Sequence, residues 1–217
     1  LNFVALLVAF LQRVLFFFRA QHNVEFAHPG RTPPDPRFFP QYMQNPQGLW
    51  LRWAQWQPAK QPVGVVFIVS GLAEHSGRYD SVAGQLNRRG FICFSLDHQG
   101  QGLSEGERKH VERFSHYVDD YMQFVQERLA SDNGRLRDLP RFVLGHSMGG
   151  LIATHMCMRD PKLFRGAVLS APALAADPAK ATPALKAAAN ALSNILPKLG
   201  LDSLDAKLVS RNRAIYE

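Results

Sequence analysis

The sequence predicts an α/β fold, a mostly parallel sheet covered by helices on both faces. Three observations carry that expectation. Short apolar runs at residues 62–69, 91–96, 141–144 and 164–169 have the length and the Val, Ile and Phe content of strands buried on both sides. Longer segments of helical periodicity lie between them. Loops rich in glycine and polar residues separate the two kinds. The chain has 217 residues, 46% hydrophobic and 20% charged, which is enough apolar material for one such core. The same composition excludes a disordered or low-complexity chain.

The elements follow in order. Residues 1–22 form a hydrophobic N-terminal segment, and its first eighteen positions are apolar apart from Asn2, Gln12 and Arg13. A spanning helix needs about 20 apolar residues, and an arginine near mid-membrane costs about 2.5–3.5 kcal/mol. The segment therefore stands between a membrane anchor and an interfacial helix, with a core helix as the plain alternative. No basic stretch precedes the apolar run and no small-x-small site follows it, which argues against a cleaved signal. Residues 23–40 carry Pro29, Pro33, Pro34, Pro36 and Pro40 and read as a linker, since prolines so dense suit neither a helix nor a central strand. The α/β core occupies residues 41–172. Strands are expected at 48–56, 62–69, 91–96, 141–144 and 164–169, with helices at 78–89, 115–129 and 148–159.

After Pro172 the alternation stops, and residues 173–217 read as a cap. Thr182 as N-cap and Pro183 at the first helical position open a helix there. Its stripe of Leu185, Ala188, Ala189, Leu192, Ile195 and Leu196 packs either as an ordinary surface helix or as a lid over an apolar cleft.

Charge and cysteines narrow the classes. The net charge of +7 is scattered, its densest groups being Arg88-Arg89 and Arg108-Lys109. Nucleic-acid binding wants a basic cluster interleaved with base-reading aromatics, so no nucleic-acid partner is expected. Attraction to an anionic membrane surface is the better use of the charge. With the apolar N-terminus it suggests a membrane-associated protein facing the cytoplasm, a soluble cytoplasmic one being the alternative. Cys93 and Cys157 are too few for a disulfide framework and lack zinc-site spacing, so neither metal nor cofactor is expected.

Gly145-His146-Ser147-Met148-Gly149 carries the chemistry. The pattern G-x-S-x-G is short, so its flanks decide. An apolar strand runs into it and a helix opening with Gly150, Leu151 and Ile152 runs out. A serine on a sharp strand-to-helix turn has a strained backbone, and a Cβ at either flanking glycine would crowd it. The turn lifts the Ser147 hydroxyl to the C-terminal edge of the sheet. It also sets the Met148 N–H at a helix start, where a developing oxyanion is stabilised.

Three ordered motifs make the chain resemble the monoacylglycerol lipases and their lysophospholipase-like and serine-aminopeptidase-like relatives. These are residues 71–79 (GLAEHSGRY), 97–106 (DHQGQGLSEG) and the elbow 145–150 (GHSMGG). Residues 169–174 (LSAPAL) resemble the strand that leads into the family's cap. The likeness covers the chain from about Gln41 onward.

It implies an α/β-hydrolase fold with a helical cap, and a serine hydrolase acting on esters like monoacylglycerol or lysophospholipid. Ser147 is then the nucleophile, and the Leu72 and Met148 N–H groups form the oxyanion hole. Glu74 and Arg78 stand near the alcohol end of the substrate, with loop bracing an equal role for Glu74, and Tyr216 matches a cap tyrosine. The rival reading is a non-catalytic hydrolase-fold protein that binds a lipid or a partner. A hydrolase of other small esters or peptides is a further alternative.

Departures from the family stand at Ser70 in place of a histidine, Ala73 in place of a glycine, and Gln99 and Gln101 in place of aromatic or basic residues. The pair Asp97-His98 reads as loop bracing, Asp119 and Asp120 as solvated, and Cys93 as an inert core thiol. In this fold the triad order is Ser, then acid, then His. After Ser147 the sequence holds only His155, two turns along the departing helix. The chain therefore reads as the N-terminal part of an enzyme, with the sheet's last strands, the acid and the base beyond Glu217. Alone, residues 1–217 are expected to have essentially no esterase activity.

Overall fold

The computed structural model describes residues 41–131 and 134–175. The N-terminal segment, the Pro-rich linker, the cap helix and Tyr216 lie outside the described residues. The described residues up to Leu174 belong to one compact unit.

Six strands form one sheet: β1 (Tyr42–Gln44), β2 (Trp50–Trp56), β3 (Gly64–Val69), β4 (Phe91–Leu96), β5 (Arg141–His146) and β6 (Gly166–Ser170). Three α-helices accompany them among the described residues: α1 (Asp80–Asn87), α2 (Phe114–Ala130) and α3 (Met148–Arg159). The spatial order is β1-β2-β4-β3-β5-β6. Strands β4, β3, β5 and β6 are parallel, whereas β1 and β2 are antiparallel additions at one side. Parallel neighbours need a crossover, and α1, α2 and α3 supply one each. This is the expected mostly parallel sheet. The unexpected element is β1, three residues long and too short to show alternation. Strand β6 starts later than its apolar run, because Leu163 and Phe164 tuck into the core below it.

The continuous apolar runs conceal an alternation that the sheet makes visible. Val65, Phe67, Val69, Ile92, Phe94 and Leu96 face the core beneath α2 and α3. Val66, Ile68 and Cys93 face the other side, where Tyr79 and Ala83 of the α1 region cover them. Both faces are therefore covered over the middle of the sheet, whereas Val168 and Leu169 of β6 are exposed. Phe67 stacks on Phe94 at 5.7 Å between ring centres and meets Phe124 and Phe164 edge-on. Burial pushes the Cys93 thiol up to about 12, as an inert core cysteine requires. Among the described residues no helix is long and apolar enough to cross a membrane.

One expectation about α2 fails. Asp119 does face outward, where it pairs with Arg159. Asp120 is fully buried, because the loops carrying Asn45 and Gln99 pack over this face of the helix. Its carboxylate accepts hydrogen bonds from Asn45 Nδ2 at 3.0 Å and Gln99 Nε2 at 2.8 Å. Desolvation outweighs them and raises the Asp120 carboxyl to about 6. In the unfolded chain it titrates near 3.8. The folded state thus binds the extra proton between those values, and the associated stability is lost as pH rises through about 6. We expect the Asp120 carboxyl carbon to titrate near pH 6 in a ¹³C NMR pH series. A midpoint near 4 would show the site to be wetter than its burial indicates.

Candidate active site

The C-terminal ends of the parallel strands bring three loops together: residues 70–79 after β3, 97–113 after β4, and the elbow between β5 and α3. The elbow is the most constrained. Ser147 adopts φ 52° and ψ −120°, a backbone region that non-glycine residues seldom occupy and that costs roughly 1–3 kcal/mol. Its backbone is held on several sides. Its N–H donates to Ser170 O at 3.0 Å, and its carbonyl accepts from the Gly150 and Ala173 N–H groups, each at 3.0 Å.

The flanking glycines are needed for space. A Cβ at Gly145 would lie 2.4 Å from Gly149 O, and one at Gly149 would lie 2.1 Å from Val69 O and 2.5 Å from Ser70 O. The first turn of α3 therefore rests directly on the end of β3. Met148 opens that turn, so its N–H is among those that find no acceptor within the helix.

The loop after β3 lies against the elbow, since a Cβ on Gly71 would come 3.2 Å from Ser147 Cβ. Glu74 organises this loop. One carboxylate oxygen accepts the Gly71 N–H at 2.8 Å and the Tyr79 hydroxyl at 2.7 Å, while the other faces Arg78 Nε at 3.4 Å. Burial, followed by the hydrogen bond to Glu74, raises the Tyr79 phenol well above its ordinary range, so it remains a donor. Bracing is what Glu74 visibly does. The Leu72 N–H donates to no group among the described residues, and the Leu72 side chain is exposed.

The loop after β4 is tied to the same structure. The buried Asp97 carboxylate accepts the Ser76 N–H at 2.7 Å and the Leu103 N–H at 3.0 Å. His98 is fully buried, with Nε2 at 3.0 Å from Ser70 O, and desolvation lowers its pKa. A neutral His98 with Nε2 protonated donates there. Asp97 and His98 are thus bracing groups. Tyr121, which the sequence reading passed over, joins β3 to β4 by donating to Ile68 O while accepting the Leu96 N–H.

The departures have visible consequences. Ala73 has φ 60°, the left-handed conformation that glycine adopts without strain. Ser70 Oγ is buried without a hydrogen-bond partner among the described residues, as is Nδ1 of His98.

The structure therefore brings Ser147, Met148, Leu72, Glu74 and Arg78 to one edge. It does not bring an imidazole to Ser147 Oγ among the described residues. His146 turns its Nδ1 to Ser170 O and Oγ, at 3.1 and 3.3 Å. His155 packs on Phe114, and His75 is exposed on its loop. Nor do three His, Cys, Asp or Glu side chains gather as metal ligands among the described residues.

A parallel sheet with helices on both faces and a strained serine between strand and helix belongs to the α/β-hydrolase class. Within that class the chain belongs to the serine aminopeptidase S33 family, whose model matches residues 60–217. It is 36% identical over 191 residues to the monoglyceride lipase of Mus musculus, covering 88% of this chain and 62% of that one. It is 39% identical over 165 residues to the monoacylglycerol lipase of Mycolicibacterium smegmatis, covering 76% and 57%. The chain thus spans about three fifths of the length of these curated relatives. Among solved structures, the Paleococcus ferrophilus monoacylglycerol lipase superposes with a TM-score of 0.63 at 34% identity, covering 76% of this chain and 60% of that one.

The contact between α3 and β3 gives a direct expectation. Gly149→Ala drives a methyl group into two backbone carbonyls that cannot step aside, so it costs at least about 3 kcal/mol and leaves little soluble protein. Denaturant unfolding measures this, and a variant within about 1 kcal/mol of wild type would mean that α3 is free to lift off the strand.

Proposed function

We propose that the protein is a serine hydrolase that cleaves carboxylic esters of the monoacylglycerol or lysophospholipid type through an acyl-enzyme on Ser147. The carrying observation is the elbow: a strained serine at a helix start, pressed against a loop whose shape is fixed by Glu74. Names of relatives support the lipid-ester class, among them the two lipases above and a phospholipase of Bacillus subtilis that is 35% identical over 162 residues.

In this mechanism Ser147 Oγ attacks the acyl carbonyl, and the carbonyl oxygen takes the negative charge. The Leu72 and Met148 N–H groups stabilise that oxyanion. Removing one such donor typically costs about 10²–10³ in rate. The intermediate collapses by breaking the ester C–O bond, the alcohol leaves with a proton, and water then splits the acyl-serine to release the fatty acid. General-base help is typically worth about 10²–10⁴-fold. Among the described residues no histidine contacts Ser147 Oγ, so that role is assigned to none of them.

Arg78, half of whose side chain is exposed, and Glu74 are proposed to meet the alcohol end of the substrate, with Tyr216 contributing from the cap. Glu74 has one oxygen committed to the loop, which leaves only the oxygen facing Arg78 for such a contact. Membrane association is proposed to run through residues 1–18, on the strength of their apolar run with Arg13 and Arg19 near its end. The protein then faces the cytoplasm from that surface.

Two measurements test this. A fluorophosphonate probe should label the full-length protein and fail on Ser147→Ala, whereas equal labelling would remove Ser147 from the mechanism and favour a binding module. Deleting residues 1–18 should move the protein from the membrane to the soluble fraction. Identical partition of both forms would make the segment a core helix.

A further inference from the structure

The edge of the sheet opposite Ser147 has a character of its own. Each parallel strand begins beside a cation: Lys60 before β3, Arg89 before β4, Arg141 at the start of β5 and Arg165 before β6. Around the last two lies a groove of about 450 Å³, rimmed by Arg137, Arg141, Lys162 and Arg165 and floored by Leu139, Pro140 and Leu163. Asp138 is the single acid on it. Arg137, Lys162 and Arg165 are exposed and Arg141 half-buried, and none forms an ion pair among the described residues.

Offsetting helix dipoles does not account for this. Cations act on a helix C-terminus only within its last turn, whereas Arg165 lies six residues beyond the end of α3 and Arg141 eleven beyond that of α2.

The geometry points to this groove as a docking site for an acidic peptide segment of another protein, one that interleaves carboxylates with apolar side chains. Charge complementarity selects the anion, and the partly apolar floor selects the peptide. A bilayer surface is too flat to enter a concavity and reach Leu139. A nucleic acid would look for stacking aromatics, and the groove lining has none. A small inorganic anion would find exposed, separate side chains rather than a buried cradle. The groove lies at the far end of β5 from Ser147, about 20 Å along a six-residue strand. A bound segment therefore leaves the Ser147 edge open, and the inference stands whether or not Ser147 is a nucleophile.

The test is fluorescence anisotropy of the full-length protein with a fluorescein-labelled peptide of alternating Glu and Leu, beside the same peptide with Gln for Glu. The Glu peptide should bind, and binding should weaken as salt is raised from about 50 to about 500 mM. Arg141→Glu with Arg165→Glu should weaken it at least roughly tenfold, since each substitution replaces an attraction with a repulsion. Arg113→Glu, an exposed position at the other edge, should leave it within about twofold. Should the double variant fail to fold, the exposed Arg165→Gln alone should weaken binding about threefold. The proposal is overturned by equal binding of the Gln peptide, by complete competition from inorganic phosphate, or by unchanged affinity in the charge variants. It is overturned as well if the protein binds phosphatidylserine vesicles while ignoring the peptide.

Discussion

The close seating of α3 on β3 is the constraint from which the rest of the Ser147 edge follows. Neighbouring strands register Val69 of β3 against Gly145 of β5, so the two strands end level with each other. The chain must then reverse into a helix within a single residue, and no room exists for a side chain at Gly145 or Gly149. Ser147 takes up the reversal with its unusual φ and ψ. Its hydroxyl-bearing carbon consequently stands beside Gly71, and the Met148 N–H leads the helix at the same place. Position and strain come from one packing contact.

That strain has to be offset locally. Ser147 and Ala73 both have positive φ, at a combined cost of a few kcal/mol by the usual scale. The bonds around them are numerous and buried or part-buried. Glu74 gathers Gly71 and Tyr79, Asp97 gathers Ser76 and Leu103, His98 holds Ser70 O, and Tyr121 spans β3 and β4. Each contributes about 1 kcal/mol net, but losing one partner strands a buried group at about 1–3 kcal/mol. The network is therefore stiffer than its summed bonds suggest. Two atoms are exceptions among the described residues, the Ser70 hydroxyl and His98 Nδ1, both buried unpartnered in the middle of it.

The sheet's two ends are electrostatically unlike. Carboxylates of Glu74, Asp97 and Asp120 are drawn inward at or near the Ser147 end and consumed as acceptors. At the opposite end Arg137, Arg141, Lys162 and Arg165 remain without ion pairs among the described residues. The scattered positive charge of the linear sequence becomes directional in the fold, because every crossover returns the chain to the same edge before the next parallel strand.

Much of this was determined by the sequence alone. Runs of Val, Ile and Phe set the strands, their alternation with helices set the parallel arrangement, and Gly145-x-Ser147-x-Gly149 between strand and helix set the elbow, because these are local preferences acting over a few residues. The roles of Asp97, His98 and Cys93 as structural groups were likewise legible. Tertiary structure alone decided what depends on partners distant in sequence. Asp120 looked like one of two solvated acids until Asn45 and Gln99, 75 and 21 positions away, packed over it, and the resulting burial raised its pKa. Glu74 could be weighed for substrate or for bracing, but only the folded loop brought Gly71 N–H and Tyr79 hydroxyl to one oxygen. Strand β1 has too few residues for a periodic signal and exists because β2 offers it an edge. The basic groove was invisible for the same reason: its cations come from separate crossovers, and only the sheet aligns them.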